Sequence, residues 1–234
     1  MIQVRCTLIG SHPYSIQQLQ VEVAILRALT LGLKAGTLHR IPPASGKVYH
    51  IGHSFASILS HALVAADQHL SDGIVLTGYS TNLTWEDQFM ASTGFHLARE
   101  NQPSRFAGQS SGYLTWGDSL ANQYSFFSYP FFDPAVLVKA EATKFPFSIG
   151  EILTTATPPI AAAFTGPVLA VSGDADNIFC NGDCYGILPR LTPFFLKSRR
   201  FESYVQPHTG HCVNLHFNAS GFYEVVQNFL AKEG

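Results

Sequence analysis

The stretch KVYHIGHSFASILSHAL, residues 47–63, decides how this chain is read. A short apolar run enters Gly52-His53-Ser54-Phe55-Ala56, and apolar residues at helical spacing follow at once. The pattern predicts a buried strand, a sharp turn and a helix. A serine on such a turn adopts a strained backbone, so the positions two residues away on either side need small side chains. Gly52 meets that demand, and Ala56 meets it less completely than a glycine would. The new helix directs its positive end and the Phe55 amide toward the space in front of Ser54. Ser54 is therefore a candidate nucleophile and Phe55 a candidate oxyanion-hole residue. The competing reading is a buried serine in a glycine-containing loop.

A nucleophilic serine needs a base and an acid, and both can be sought at other strand ends. GPVLAVSG, residues 166–173, reads as a buried strand, and Asp174 and Asp176 lie just beyond it. Ligands and reacting groups gather at the carboxyl ends of parallel strands, which makes Asp176 the candidate acid. Asp174 is expected to cap the loop by accepting from nearby amides, and the alternative is that both are turn residues. FESYVQ, residues 201–206, is a further strand candidate, and QPHTGHCVNLH follows it. His211, preceded by Gly210 in a short loop before the last helix, is the candidate base. His208 and His216 are expected to be loop or surface residues. The histidines here, and His50 and His53 near Ser54, lack carboxylate or cysteine partners at ligand spacing, so no metal is assigned.

The rest of the pattern is α/β. Residues 16–35 predict an amphipathic helix with Leu19, Val23, Leu26 and Leu33 on one stripe, Lys34 in the last turn and Gly36 at its end. SILSHALVAADQHL, residues 57–70, predicts the helix after Ser54; DGIVLTGY, residues 72–79, a second buried strand; and residues 222–233 a closing helix. Strands separated by helices imply a mostly parallel sheet with helices on both faces. Residues 80–165 are far more than one crossover requires, and they predict an inserted cap region between two core segments, 1–79 and 166–234. QYSFFSYPFF, residues 123–132, holds six aromatics in ten residues. These rings either fill a small core of the insertion or line an apolar pocket. Tyr124, Phe126 and Phe127, with His53 beside the nucleophile, are the candidate substrate-binding residues.

Composition narrows the function. Apolar residues make up 46% of the 234-residue chain and charged residues 13%, with a net charge of −2 and no basic run, which argues against nucleic acid as a partner. No apolar segment reaches the roughly 18 residues of a membrane span, and the first residues do not read as a secretory signal. Of the four cysteines, Cys180 and Cys184 are spaced to pair across a turn, while glycosylation acceptor patterns occur at Asn82 and Asn218. The compartment and the oligomeric state stay open.

The order Ser54, Asp176, His211, together with VYHIGHSFAS, VLAVSGDADNIFCNGDC and TGHCVNLH, resembles the α/β-hydrolase superfamily. The chain looks most like fungal lipase- or esterase-like members, and LIGSHPYSIQQLQVEVAILRALT looks like the segment leading to the helix before the nucleophile. The resemblance covers nearly the whole chain but begins in the middle of the family fold, as in a hydrolase lacking its N-terminal strands. IQVRCTLI, residues 2–9, offers at most one strand ahead of that helix, and the family's His-Gly oxyanion loop has no counterpart. The resemblance implies a serine esterase or thioesterase acting on an apolar small molecule through a Ser-His-Asp triad and an acyl-enzyme, without a cofactor. The alternatives are an inactive binding protein derived from such an enzyme and an acyltransferase.

Overall fold

The computed structural model describes residues 11–155 and 157–233; the strand expected at residues 2–9 lies outside them. A parallel sheet forms the centre, built from β1 (Tyr49–His53) and β2 (Gly73–Thr77) and, after the insertion, Val168–Gly173 and Phe201–Gln206. Residues 80–165 interpose β3 (His96–Leu97), β4 (Tyr113–Thr115) and β5 (Phe147–Ser148), so the last two parallel strands are β6 and β7. The parallel order is β1-β2-β6-β7, and β1 is an edge among the described strands, with Ile51 48% exposed.

The central strands β2 and β6 are buried at every position, which is why their sequences are continuous apolar runs and do not alternate. Alternate side chains still go to opposite faces. Ile74 and Leu76 join Val64, Leu188 and Leu191 in one core, whereas Val75, Leu169 and Val171 meet Phe222, Val226 and Phe229 in another. The first core is covered by α2 (Phe55–Ala66) and the second by the closing helix Ala219–Ala231. Each fully buried Leu or Val contributes about 1.5–3 kcal/mol relative to exposure, so the two layers together anchor the strand ends where the site forms.

Several expected helix ends are corrected: the closing helix runs Ala219–Ala231, three residues earlier at its start and two at its end, and the helix after Ser54 starts at Phe55. The first helix, α1 (Leu19–Ala35), starts three residues later than its periodicity predicts. Buried Gln17 is held instead by the inserted sheet: its Oε1 accepts from the Tyr113 hydroxyl and its carbonyl accepts from Ser148 Oγ, both at 2.9 Å. At the other end Gly36 takes φ 68°, as its place after the last turn predicts. Helix α2 stops at Ala66 because the Asp67 carboxylate accepts from the His69 amide at 3.1 Å, turning the chain out of the helix.

The insertion is an antiparallel sheet of order β3-β4-β5 with short helices: α3 (Glu86–Thr93), α4 (Ala98–Asn101), α5 (Pro103–Phe106), α6 (Ser119–Phe126), α7 (Pro134–Thr143) and α8 (Ile149–Leu153). Local chemistry starts several of them. Asp118 accepts from the Leu120 and Ala121 amides at 2.9 Å, and Ser148 with Glu151 forms a capping box. The segment ahead of α1 packs on this sheet, with Gly150 N donating to Pro13 O at 2.9 Å. Among the described residues no helix is long and apolar enough to cross a membrane.

Candidate active site

Ser54 stands between β1 and α2 at φ 54° and ψ −120°, a backbone that side-chain-bearing residues rarely adopt. Its amide donates to Thr77 O at 2.8 Å. Ser57 fastens the new helix to β2, donating to Thr77 O at 2.9 Å and accepting from Thr77 N at 3.0 Å. A Cβ on Gly52 would lie 2.3 Å from Ala56 O, so only glycine lets the strand run this close to the helix. The Phe55 amide, in the first turn of α2, has no acceptor within its own helix.

The strand register brings the other groups to the same end of the sheet. His53 pairs with Thr77, Thr77 with Val171, and Gly173 with Gln206, so the loops that follow emerge side by side. Asp176 is fully buried at the start of α9 (Asn177–Cys180). Its Oδ1 accepts from the amides of Ile178 (2.9 Å) and Phe179 (3.2 Å), and its Oδ2 from Ser172 Oγ (2.6 Å) and His211 Nδ1 (2.9 Å). Burial alone raises its pKa, but the His211 charge and these bonds outweigh burial and hold the carboxyl below its ordinary range. Asp174 instead holds the following loop, accepting from the His208 and Thr209 amides at 2.9 Å.

His211 is 1% exposed. With Nδ1 bound to Asp176, its basic nitrogen is Nε2, which is buried and has no hydrogen-bond partner. Among the described residues no hydrogen bond joins Ser54 Oγ to His211. The loop that carries His211 packs closely: a Cβ on Gly173 would sit 2.1 Å from Thr209 O, and Cys212 N donates to Phe126 O at 2.9 Å. His216, expected in a loop or at the surface, is buried and braces this loop. Its Nε2 accepts from Ser128 N (2.9 Å) and Gly210 N (3.0 Å), while Nδ1 donates to Cys212 O (3.0 Å). That pattern needs a neutral ring, and burial lowers its pKa. His208 is exposed and stacks on Phe131 at 4.3 Å.

A cavity of about 310 Å³ opens at Ser54 and Phe55. Its walls are Ile58 and Phe179 from the sheet half and Phe89, Phe95, Trp116, Phe126 and Phe147 from the insertion. A wider space of about 810 Å³ adjoins it, lined by His53, Phe55, Trp116, Glu22 and Glu151 among others. Of the four residues expected to contact substrate, Phe126 lines the first cavity and His53 the second. The His53 ring lies 4.9 Å from that of His211, and burial, with His211 nearby, lowers its pKa to about 3. Its Nδ1 donates to Thr77 Oγ1 at 3.0 Å, and its Nε2 is buried without a partner.

Tyr124 and Phe127 line neither cavity, which corrects their expected placement. Tyr124, two residues before Phe126, falls on the far side of helix α6 and is 49% exposed, bonded to Gln88. Phe127 leaves that helix in extended backbone and is buried against Phe132 at 4.8 Å. Sequence reading missed Phe95, Trp116, Phe147 and Phe179, which no local pattern joins. Glu151 had a legible signal, the Ser148-x-x-Glu151 capping box, but that motif reports a helix start and no cavity.

Cys180 and Cys184 are joined by a disulfide within the first core. Cys212 is a free cysteine, and burial followed by the nearby Asp176 raises its thiol to about 12, so it is not a nucleophile at neutral pH. Asn218 is tied into the loop that carries His211, its side-chain amide donating to Pro207 O and its Oδ1 accepting from Thr209 Oγ1 at 2.9 Å. Asn82 lines the cavity at Ser54. Among the described residues no cluster of three or more His, Cys, Asp or Glu is placed to hold a metal ion.

No family model and no curated protein matches the chain. Solved structures do. A carboxylesterase from the ammonia-oxidizing thaumarchaeon Nitrososphaera gargenis is similar at 18% identity and TM-score 0.61, over 95% of this chain and 74% of that one. A thermophilic esterase from Thermogutta terrifontis is similar at 14% identity and TM-score 0.61, over 94% and 74%. A monoacylglycerol lipase from Paleococcus ferrophilus is similar at 13% identity and TM-score 0.60, over 94% and 77%. The parallel sheet, the helices on both its faces and these likenesses together give the chain an α/β-hydrolase fold.

Proposed function

We propose that the chain hydrolyses a carboxylic ester or thioester of an apolar small molecule through an acyl-enzyme on Ser54. The observation that carries this reading is the buried His211–Asp176 pair, bonded at 2.9 Å, with the far histidine nitrogen unpartnered at the strand ends where Ser54 stands. Ser54 Oγ attacks the carbonyl carbon as His211 Nε2 takes its proton, and Asp176 stabilises the imidazolium that forms. The oxyanion accepts from the Phe55 amide at the positive end of α2. Collapse expels the alcohol or thiol, which takes the proton from His211. Water then gives a proton to the same nitrogen, attacks the acyl carbon, and regenerates Ser54 with release of the acid. Residues 80–165 act as a cap whose rings hold the apolar part of the substrate. Esterase and lipase activity in the similar structures supports the same chemistry.

The test is labelling of the folded protein with a fluorophosphonate probe. Labelling lost in both Ser54→Ala and His211→Ala supports the reading; no labelling of a folded sample overturns it. A second reading, a binding protein without turnover, is favoured by one observation, the lack of a Ser54–His211 bond. It predicts saturable binding of an apolar ligand by unlabelled protein.

A further inference from the structure

Residues 176–184 hold three groups of the site. Asp176 bonds to His211, and Ile178 and Phe179 line the cavity at Ser54. Phe179 also stacks on the His211 ring at 5.9 Å and meets Tyr79 edge to face at 5.4 Å. All three positions depend on α9, which is a single turn of helix. Such a turn is marginal by itself, because nucleating a helix costs more than its first bonds return. Asn181 ends it at φ 52° and Gly182 follows at φ 83°. The chain then doubles back, with Gly182 N donating to Asp176 O and Cys184 N to Asp174 O, both at 3.0 Å. The Cys180–Cys184 disulfide ties the last residue of the turn to this returning segment.

Two observations distinguish this bond from a general staple. A crosslink stabilises a fold more when it closes a longer loop of the unfolded chain, and these cysteines are only four residues apart. The sulfurs also lie in a core that apolar side chains already fill, Cys184 fully buried and Cys180 nearly so beside Leu188, Leu191 and Tyr79. The contribution left to the bond is local. It keeps α9 wound, and with it the Ile178 and Phe179 amides on Asp176 Oδ1.

We propose that the Cys180–Cys184 disulfide positions Asp176 and Phe179, so that the reactivity of Ser54 depends on its oxidised form. The inference rests on the ester-hydrolase reading. With the bond open, α9 unwinds, the carboxylate loses the two amides that fix its plane, and His211 is held less well. Phe179 and Ile178 then leave the cavity wall.

The experiment compares the wild type with Cys180→Ala/Cys184→Ala, well below the unfolding midpoint of either, by fluorophosphonate labelling and by turnover of p-nitrophenyl esters. Labelling rate and kcat should fall by about 10- to 100-fold, the upper figure being the cost of misplacing a reacting group by about 1 Å. KM for bulky apolar esters should rise as well. A purely structural staple would lower the midpoint and leave labelling and kcat unchanged below it, and that result overturns the inference while the hydrolase reading stands. If the variant does not fold, the same comparison is made on wild type treated with dithiothreitol until mass spectrometry shows the bond open. The reductant passes two hydrogens to the cysteine sulfurs and closes to its own cyclic disulfide; reoxidation should restore the rate. Absence of labelling in folded, oxidised wild type overturns the hydrolase reading, and amide hydrogen exchange then tests the positioning by itself. Opening the bond should speed exchange at Ile178 and Phe179 at least about tenfold and leave β6 unchanged, as local unfolding of α9 requires. Equal exchange in the two forms overturns the inference.

Discussion

The parallel-sheet half and the inserted half build the same cavity by different means. In the sheet half, Ser54, Asp176 and His211 each follow the end of a strand, and the register of those strands sets their separations. Backbone amides complete the arrangement, as the four bonds to the Asp176 carboxylate show in part. In the insertion the lining groups come from helices of four to ten residues, from strands of two or three, and from the turns between them, where Phe95 and Trp116 stand. Their positions depend on which side of a short helix a ring occupies, as the contrast of Phe126 with Tyr124 shows. The chemical groups are thus fixed by long-range register, and the pocket's shape by local packing that single substitutions can change.

The largest effect should break the sheet half. Ser54→Ala or His211→Ala should lower ester turnover by about 10⁴-fold or more, without the additivity expected of independent sites, in single and double variants assayed on a p-nitrophenyl ester. Next comes the packing behind His211. Gly173→Ala places a Cβ 2.1 Å from Thr209 O, and the backbone there must shift. Overpacking of this kind costs about 1–3 kcal/mol, so thermal unfolding should show a midpoint lower by several degrees, with turnover reduced as His211 moves.

The insertion should respond more weakly and more selectively. Phe126→Ala removes a ring from the cavity and should lower kcat/KM about tenfold for bulky apolar esters, with a smaller effect on acetate esters. Tyr124→Ala, two residues away and exposed, should leave both values unchanged and stability within about 0.5 kcal/mol. Equal effects at the two positions would erase the distinction between pocket wall and surface.

The smallest effect concerns acid. Burial lowers the pKa of His50 to about 4 and of His53 and His61 to about 3, from 6.5. Below 6.5 the unfolded chain binds more protons than the folded one at these sites. Their contribution is therefore present in full above pH 6.5 and is lost as pH falls toward 4 and 3. Asp176, also depressed, adds to the loss once pH falls through the carboxylate range. The unfolding midpoint should fall steadily from pH 6.5 to 4, and His61→Phe, which removes one titrating ring stacked on Phe195, should make that slope shallower. An unchanged slope would place the acid sensitivity elsewhere.

Residues 47–63 by themselves determined the strand, the turn and the helix, because those elements answer to local apolar periodicity and to a glycine that no other residue can replace. Asp176 and His211 were legible for a related reason: each follows an apolar run that must be a buried strand, and loops at that end of a parallel sheet share one space. The sequence also carried the disulfide-forming spacing of Cys180 and Cys184, which the fold closes. Only the tertiary structure decided which aromatics reach the cavity, since Phe95, Trp116, Phe147 and Phe179 are up to 84 residues apart (179 − 95) and meet through packing. It likewise buried the loop residue His216 as a brace, and brought Glu22 of α1 against Glu151 of α8. Side chains far apart in sequence leave no periodic trace of their meeting, and the cost of burying them is set by neighbours that only the folded chain supplies.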